Sequence, residues 1–317
     1  MANTIVERLS PAKFQNPDIT AKGEIRAHVS LKKLDTLWFN TGTLCNLECV
    51  SCYIESSPRN DKLVYITVDE VRQYLDEIQQ GDWDTREIGF TGGEPFMNPQ
   101  FVHMAEECLR RGFKVLVLTN GMRPMMKCSE QLLALQRSYA NQLTIRLSID
   151  HYTQKLHEEE RGARSWKPTL KGLLWLGQNG FNVNIAGRSM WHEEEKSLRA
   201  GYARLFAELD LDVDASDPQQ LIIFPEMDPS VDVPEITTQC WEILEMSPDE
   251  VMCSSSRMVV KRKGSPHPVV LACTLLPYEE EFEMGATLKE AASDVKLNHP
   301  HCAKFCVLGG GSCSVDN

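Results

Sequence analysis

The stretch Cys-Asn-Leu-Glu-Cys-Val-Ser-Cys, residues 45–52, follows a predicted strand over Thr36–Asn40. Its three cysteines are spaced Cys-x3-Cys-x2-Cys. Three thiolates on one short loop can bind a polynuclear iron site and leave one iron without a protein ligand. An open coordination position is where a metal centre does chemistry, as the contrast between catalytic and structural zinc shows. The alternative is a zinc ion whose fourth ligand comes from elsewhere in the chain.

A second motif, Thr-Gly-Gly-Glu-Pro at residues 91–95, ends the predicted strand Glu87–Phe90. A lone Gly-Gly-Glu is common in turns, because glycine so often only punctuates the chain. The two motifs together, in this order and each at a strand end, resemble the signature of the radical S-adenosylmethionine (radical SAM) enzymes. The resemblance extends over residues 36–313 and implies an enzyme.

The resemblance assigns Cys45, Cys49 and Cys52 to a 4Fe–4S cluster whose fourth iron binds the amino and carboxylate groups of SAM. It implies that SAM is cleaved reductively to a 5′-deoxyadenosyl radical, which takes hydrogen from a substrate. It also implies a set of SAM contacts: Gly92, Gly93 and Glu94 at the methionine part, Asn120 and Ser148 at the ribose or methionine, and Arg161 at the carboxylate.

Three of these assignments have plain alternatives. The glycines could form an ordinary tight turn, and Asn120 could be a turn residue. Arg161 suits a carboxylate because a guanidinium binds it with two parallel bonds, but a surface pair with Glu158 or Glu159 would use the same charge.

One position departs from the family pattern. An aromatic residue usually precedes the third cysteine, and here that position is Ser51, with Tyr53 following the cysteine instead. The departure leaves open which side chain would stack on the adenine of SAM, but it does not affect the three cluster ligands. Four side chains after strand ends are catalytic candidates, each with a surface or packing role as the alternative: Tyr53, Arg188, His192 and Glu226.

Six predicted strands alternate with helices, which calls for a parallel α/β fold. Six βα units within about 190 residues are too few for a closed eight-unit barrel of about 250, so we expect a partial (β/α)6 barrel, as the resemblance also implies. We predict an N-terminal extension over residues 1–34, the barrel over 35–230, and a small C-terminal α+β domain over 231–317. The predicted barrel strands are Thr36–Asn40, Glu87–Phe90, Phe113–Leu118, Leu143–Ser148, Phe181–Gly187 and Leu221–Phe224.

The C-terminal part is rich in cysteine and contains a predicted hairpin. This order of cysteine, hairpin, cysteine and close cysteine pair resembles the twitch domain, a shortened SPASM domain that binds one auxiliary 4Fe–4S cluster. A four-cysteine zinc site is the alternative, because spacing alone does not choose the metal. The candidate ligands are Cys253, Cys273, Cys302 and Cys306, with Cys313 as an extra one.

The bulk properties limit the partners. A net charge of −12 argues against a nucleic-acid backbone as partner. Without an export signal or a membrane-spanning run we expect a cytoplasmic protein with no membrane partner. We expect a small-molecule substrate, because a 34-residue extension is shorter than the leader-binding domain of about 80 residues in many peptide maturases. A peptide substrate, and a metal-bound scaffold without catalysis, are the alternatives. The expected electron donor is a flavodoxin or ferredoxin.

Overall fold

The computed structural model describes residues 8–81, 83–226 and 228–309, which form eleven strands and eight α-helices. The strands are β1 His28–Val29, β2 Thr36–Asn40, β3 Glu87–Thr91, β4 Lys114–Thr119, β5 Leu143–Ser148, β6 Asn182–Arg188, β7 Leu221–Phe224, β8 Ser256–Val260, β9 Val269–Leu271, β10 Glu283–Gly285 and β11 Val295–Lys296. The helices are α1 Val68–Gln80, α2 Phe101–Arg110, α3 Arg123–Lys127, α4 Ser129–Tyr139, α5 Gln154–Arg161, α6 Trp166–Gln178, α7 Glu195–Glu208 and α8 Cys240–Ile243.

Nine strands form one sheet in the order β10-β9-β8-β2-β3-β4-β5-β6-β7. Strands β2 to β7 are parallel to their neighbours and follow the chain order, with helices in the connections between them. These six strands are the predicted ones, and the α/β architecture with a partial barrel is confirmed. The carboxyl ends of parallel strands meet at one edge, which is where ligands bind in such folds.

The two faces of the strands enter two separate cores, because successive side chains of a strand point to opposite sides. Phe39 and Phe90 face the helices, and their rings stack with centroids 5.8 Å apart. Trp38 and Met258 face the other side and pack with the C-terminal part of the chain. Gly89 lies opposite Trp38, and a Cβ there would come within 2.3 Å of the indole ring. The buried tryptophan therefore requires a glycine on the next strand.

The predicted C-terminal hairpin is confirmed as the antiparallel pair β8–β9, and it continues the barrel sheet. Strand β8 pairs in parallel with β2, with Thr36 opposite Ser256. An ion pair between Lys261 and Glu70 also joins the hairpin to the start of α1. The pairing covers an edge of β2 that would otherwise be unpaired, which is how proteins protect exposed strand edges. The domain boundary near residue 230 stays a prediction.

The described part of the N-terminal extension packs on the segment that follows β7. Leu9 donates its N–H to the carbonyl of Ser230 at 2.7 Å, and the buried Arg26 forms an ion pair with Glu235 at 2.5 Å. Strand β1 pairs with β11 near the C-terminus. The extension thus contacts the regions after β7, and its last residue, Leu34, packs in the core on the helix side of the sheet.

Helix ends follow the sequence signals where caps are present. A capping box precedes α1, with Glu70 N–H donating to Thr67 Oγ1 and Thr67 N–H donating to the Glu70 carboxylate. Among the described residues after residue 230, the α-helical part is limited to the single turn α8. Within the three described ranges, no helix combines the length and apolar character needed to cross a bilayer.

Candidate active site

A cavity of about 160 Å³ lies at the carboxyl ends of the barrel strands. Residues at or just after the ends of six strands line it, because the carboxyl ends of β2 to β7 meet at this edge. The cavity brings together most of the site residues that the sequence predicts: Cys45, Cys49, Cys52, Tyr53, Gly92, Gly93, Asn120, Ser148, Arg161 and Arg188.

The cysteine loop presents its sulfur atoms to this cavity and to backbone N–H groups. Leu47 N–H donates to Cys45 Sγ, and Ser56 N–H donates to Cys52 Sγ, both at 3.4 Å. Such donors stabilise cluster-bound sulfur, and they fit the binding of an iron–sulfur cluster here. Burial raises the pKa of Cys45 to about 12 and that of Cys49 to about 11. Since the ligand is the thiolate, metal binding must displace protons from these thiols.

The fit to a cluster rests on the shared cavity and on the N–H donors. Among the residues whose structure is described, no three His, Cys, Asp or Glu side chains converge on a point where a single metal ion would bind. None of the ten cysteines in these ranges forms a disulfide.

The Gly-Gly-Glu segment packs against the backbone that leads into Cys45. Gly93 N–H donates to the carbonyl of Gly42 at 2.8 Å. A Cβ on Gly93 would lie 2.2 Å from the Leu44 carbonyl oxygen, and one on Gly92 would lie 2.6 Å from that of Gly42. Gly92 also has a φ of +131°, which L side chains rarely adopt. Both glycines are therefore required by the close approach of the two loops, and both also line the cavity.

Glu94 is buried behind the cavity wall, with 1% of its surface exposed. Its carboxylate accepts hydrogen bonds from Thr119 Oγ1 at 2.8 Å and from Asn120 N–H at 2.9 Å. Burial raises the pKa of Glu94 to about 7, although these hydrogen bonds and Arg161 act in the opposite direction. Glu94 thus fixes Asn120, which in turn donates to the Asn46 side chain at 3.0 Å. A contact of Glu94 with the SAM ammonium stays a prediction.

Arg161 forms an ion pair with Asp150 rather than with Glu158 or Glu159. Its Nε lies 2.6 Å from Asp150 Oδ2, and its Nη2 donates to Oδ1 at 3.1 Å. Both side chains are largely buried and both line the cavity. The guanidinium is near enough to the thiols to act electrostatically on Cys49. It is a fixed positive charge beside the cysteine loop, held in place by a buried carboxylate.

Asp150 and Glu160 are site residues that the sequence motifs did not predict. Asp150 could have been found, since it lies two residues after the end of β5. Glu160 precedes Arg161 and contacts Ser51, but nothing in its local sequence marks it. Two further predictions concern residues at exposed positions outside the cavity lining: His192 and Glu226.

The four described tail cysteines line a second, smaller cavity of about 20 Å³. The remaining lining is apolar and comes from valine, leucine, methionine and phenylalanine side chains. Burial raises the pKa of Cys253 to about 12 and shifts the pKa of Cys302 well upward. Cys302 and Cys306 both lie on a π-helical segment, Cys302–Val307. Cys313 lies outside the described residues. The cysteines gathered at this cavity are Cys253, Cys273, Cys302 and Cys306.

The tail segments also reach the first cavity. Phe305, between two tail cysteines, lines the first cavity and stacks on Phe224 with ring centroids 5.6 Å apart. Tyr278 donates its hydroxyl to the carbonyl of Ile54, just after the cysteine loop, at 2.6 Å. The two cysteine regions are therefore joined by direct contacts, and sequence spacing gave no sign of this.

Residues 39–197 match the Radical SAM superfamily, and the chain belongs to this superfamily. Its members are enzymes that use a 4Fe–4S cluster and SAM, and its SPASM-type members carry auxiliary clusters. Among curated proteins the chain is similar to the antilisterial bacteriocin subtilosin biosynthesis protein AlbA of Bacillus subtilis, with 29% identity over 51% of this chain and 36% of AlbA. It is also similar to the mycofactocin maturase MftC of Mycobacterium tuberculosis, with 26% identity over 43% of this chain and 33% of MftC. The matches thus span about a third of each of these relatives.

Two solved structures share the fold. SuiB of Streptococcus suis bound to S-adenosylmethionine superposes with a TM-score of 0.58 at 14% identity, over 80% of this chain and 63% of SuiB. The protein anSMEcpe with bound AdoMet gives a TM-score of 0.59 at 14% identity, over 88% of this chain and 92% of that one. These likenesses support the architecture of barrel plus C-terminal part.

Proposed function

We propose that this protein cleaves SAM reductively in the cavity at the ends of β2 to β7 and abstracts hydrogen from a peptide substrate. The observation that carries the proposal is the convergence of the three loop thiols with the buried Asp150–Arg161 pair in one cavity. Thiolates supply cluster ligands, and a fixed guanidinium supplies the charge that a SAM carboxylate requires.

When bound, the reduced cluster supplies the electron that splits the sulfonium of SAM and yields the 5′-deoxyadenosyl radical. Cys45, Cys49 and Cys52 would hold the cluster, and Arg161 would orient the SAM carboxylate. Asp150 keeps the guanidinium in one orientation, since a bidentate ion pair restricts rotation of this planar group. A flavodoxin or ferredoxin delivers the electron.

The substrate side of the cavity is apolar. Phe224, Leu275 and Phe305 line it, and the stacked phenylalanine pair closes one wall. Such a wall excludes water and stray hydrogen donors from a carbon radical, which is the protein's share of cofactor chemistry. It also fits an aliphatic or aromatic side chain presented by a peptide.

The peptide assignment is supported by relatives whose structures contain peptides. SuiB has been solved bound to the precursor peptide SuiA, and anSMEcpe with bound AdoMet and the Kp18Cys peptide. A small-molecule substrate is the second candidate. It is supported by similarity to the AdoMet-dependent heme synthase of Methanosarcina barkeri, at 28% identity over 44% of this chain.

The first test is SAM cleavage by anaerobically reconstituted protein with a strong reductant. Wild-type protein should release 5′-deoxyadenosine, and the variant with Cys45, Cys49 and Cys52 all changed to alanine should release none, because no thiolate remains to hold the cluster. Cys240→Ala is the matched control, since this half-buried thiol lies outside both cavities, and it should retain cleavage. Cleavage by the triple variant would refute the proposal.

The substrate class can be tested through the hydrogen that is transferred. The protein is incubated with SAM and a deuterated cell extract separated into a peptide fraction and a small-molecule fraction. Deuterium in 5′-deoxyadenosine should come from the peptide fraction. Deuterium from the small-molecule fraction alone would establish the second candidate instead.

A further inference from the structure

We propose that Glu160 is a positioning residue for the cluster-binding loop, and that it fixes the backbone between Cys49 and Cys52 through Ser51. The inference rests on the proposed cluster site and adds to it a residue that neither the cysteine motif nor the Gly-Gly-Glu motif contains. Glu160 lies in the last turn of α5, and only 3% of its surface is exposed.

Glu160 contacts the loop at three points. Its Oε1 accepts the Ser51 N–H at 2.9 Å and the Ser51 hydroxyl at 2.7 Å. Its main-chain carbonyl accepts the Val50 N–H at 2.9 Å. Val50 and Ser51 are the two residues that separate Cys49 from Cys52, so every N–H between these two ligands is bound by one glutamate.

Arg188 completes the arrangement from the end of β6. Its Nη1 donates to the Ser51 carbonyl at 3.2 Å and lies 3.6 Å from Glu160 Oε1. Ser51 is therefore held on both sides, at its N–H and hydroxyl by Glu160 and at its carbonyl by Arg188. A buried carboxylate is costly unless hydrogen bonds and a nearby cation compensate it, and here both are present.

The arrangement explains the departure at position 51. The family resemblance leads to the expectation of an aromatic side chain before the third cysteine, and Ser51 is small and polar. On the outer side of the loop Val50 is 80% exposed within the described structure. The loop between Cys49 and Cys52 is held instead by the hydrogen bonds that the buried Glu160 accepts.

The test uses anaerobically reconstituted full-length protein and follows the reduced-cluster EPR signal that changes when SAM is added. That change isolates the SAM-binding cluster from any other iron in the protein. The measured quantity is the rate at which the SAM-responsive signal is lost to an iron chelator. The variants are Glu160→Ala, Glu160→Gln, Ser51→Ala and the double variant Ser51→Ala/Glu160→Ala. Glu159→Ala is the matched control, since Glu159 is the exposed neighbour on the same helix.

Glu160→Ala should accelerate loss of the signal by about tenfold or more, because hydrogen bonds to a charged group are removed. Glu160→Gln should remain within about threefold of wild type, since its amide oxygen can accept the same bonds. Ser51→Ala removes only the hydroxyl bond and should have an intermediate effect. The double variant should be no worse than Glu160→Ala, because both changes remove the same side-chain interaction.

Several outcomes would overturn the inference. One is a rate of signal loss for Glu160→Ala equal to that for Glu159→Ala. Another is a double variant whose rate shows that the effects of the two changes add. The third is a Glu160→Gln variant that loses the signal as fast as Glu160→Ala, which would make charge the decisive property. If Glu160→Ala does not fold, Ser51→Ala and Glu160→Gln still decide between these results. A wild-type protein without any SAM-responsive signal would refute the proposed function and this inference together, whereas unaltered variants beside a responsive wild type would refute the inference alone.

Discussion

The molecule has two cysteine regions that differ in openness and in surroundings. The loop at residues 45–52 places three thiols against a cavity of about 160 Å³ that also contains buried charged groups. The tail places four thiols around a cavity of about 20 Å³ whose other walls are apolar. A 4Fe–4S cluster held by three thiolates has one iron that can bind another ligand, whereas one held by four thiolates has none. The proposed roles of the two regions follow this difference.

The chemistry of the thiols alone does not distinguish the cysteine loop from the tail cysteines. Burial raises the pKa of both Cys45 and Cys253 to about 12, so the thiols themselves are alike. What separates the sites is Arg161 with Asp150 at the first one and the aliphatic and phenylalanine side chains at the second. The C-terminal part also contributes to the first site, because Phe305 lines the first cavity and Tyr278 donates a hydrogen bond to the segment after the cysteine loop.

The largest expected effect comes from replacing the four tail cysteines. We expect a second 4Fe–4S cluster there, so wild-type protein should contain about eight irons and the variant with all four tail cysteines changed to alanine about four. That variant should still cleave SAM, because the open site keeps its ligands. The measurement is iron and sulfide content beside 5′-deoxyadenosine release. The four changes are Cys253→Ala, Cys273→Ala, Cys302→Ala and Cys306→Ala.

Two results would contradict a second 4Fe–4S cluster on the tail cysteines. Zinc in place of iron in anaerobically purified protein would make the closed site a structural zinc centre. A wild type with only about four irons would show that the tail thiols hold no cluster. Cys240→Ala should keep the full iron content, because its sulfur lies at neither cavity.

The next effect concerns the charge that distinguishes the open site. Arg161→Ala should weaken SAM binding about tenfold or more, since a hydrogen bond to a charged group contributes about 1.5–3 kcal/mol. Arg161→Lys should recover only part of this, because lysine has no planar fork to pair with Asp150 and a carboxylate. The measurement is the SAM dissociation constant of reconstituted protein. Arg164→Ala, at an exposed position three residues on, is the control and should bind SAM normally. An unchanged constant for Arg161→Ala would confine Arg161 to a structural pair.

The sequence was sufficient to predict the barrel and to single out the cysteine loop and the glycine motif that meet at the first cavity. Alternation of apolar strands with helices is a local signal, and the cysteine and glycine motifs are contiguous, so both could be read from the chain directly. Contacts between side chains that only the tertiary fold brings together could not be predicted in this way. Asp150 as the partner of Arg161 and Glu160 as the partner of Ser51 depend on how α5 packs beside the cysteine loop. The parallel pairing of β8 with β2 likewise depends on tertiary contacts rather than on periodicity.

The smallest expected effect concerns Glu94, the buried acid behind the open site. Its pKa in the folded protein is raised from an ordinary value of 4.5 to about 7, chiefly by burial. Between these two values the folded state keeps a proton that the unfolded state has lost. Folding stability must therefore fall as the pH rises through about 7, because the folded state binds more protons. Below about pH 4.5 the contribution is fully present.

Glu94→Gln removes this dependence, because glutamine stays neutral at every pH in the range. In cluster-free protein, the free energy of unfolding of the wild type should decline relative to that of the glutamine variant between about pH 5 and pH 8. Denaturant titrations of both proteins at a series of pH values measure the difference. A decline would show that the Glu94 carboxyl beside Thr119 and Asn120 is protonated in the folded, cluster-free protein below about pH 7. Parallel curves would mean that the hydrogen bonds from Thr119 and Asn120 offset the cost of burial, and Glu94 would then be ionised in the folded protein at neutral pH.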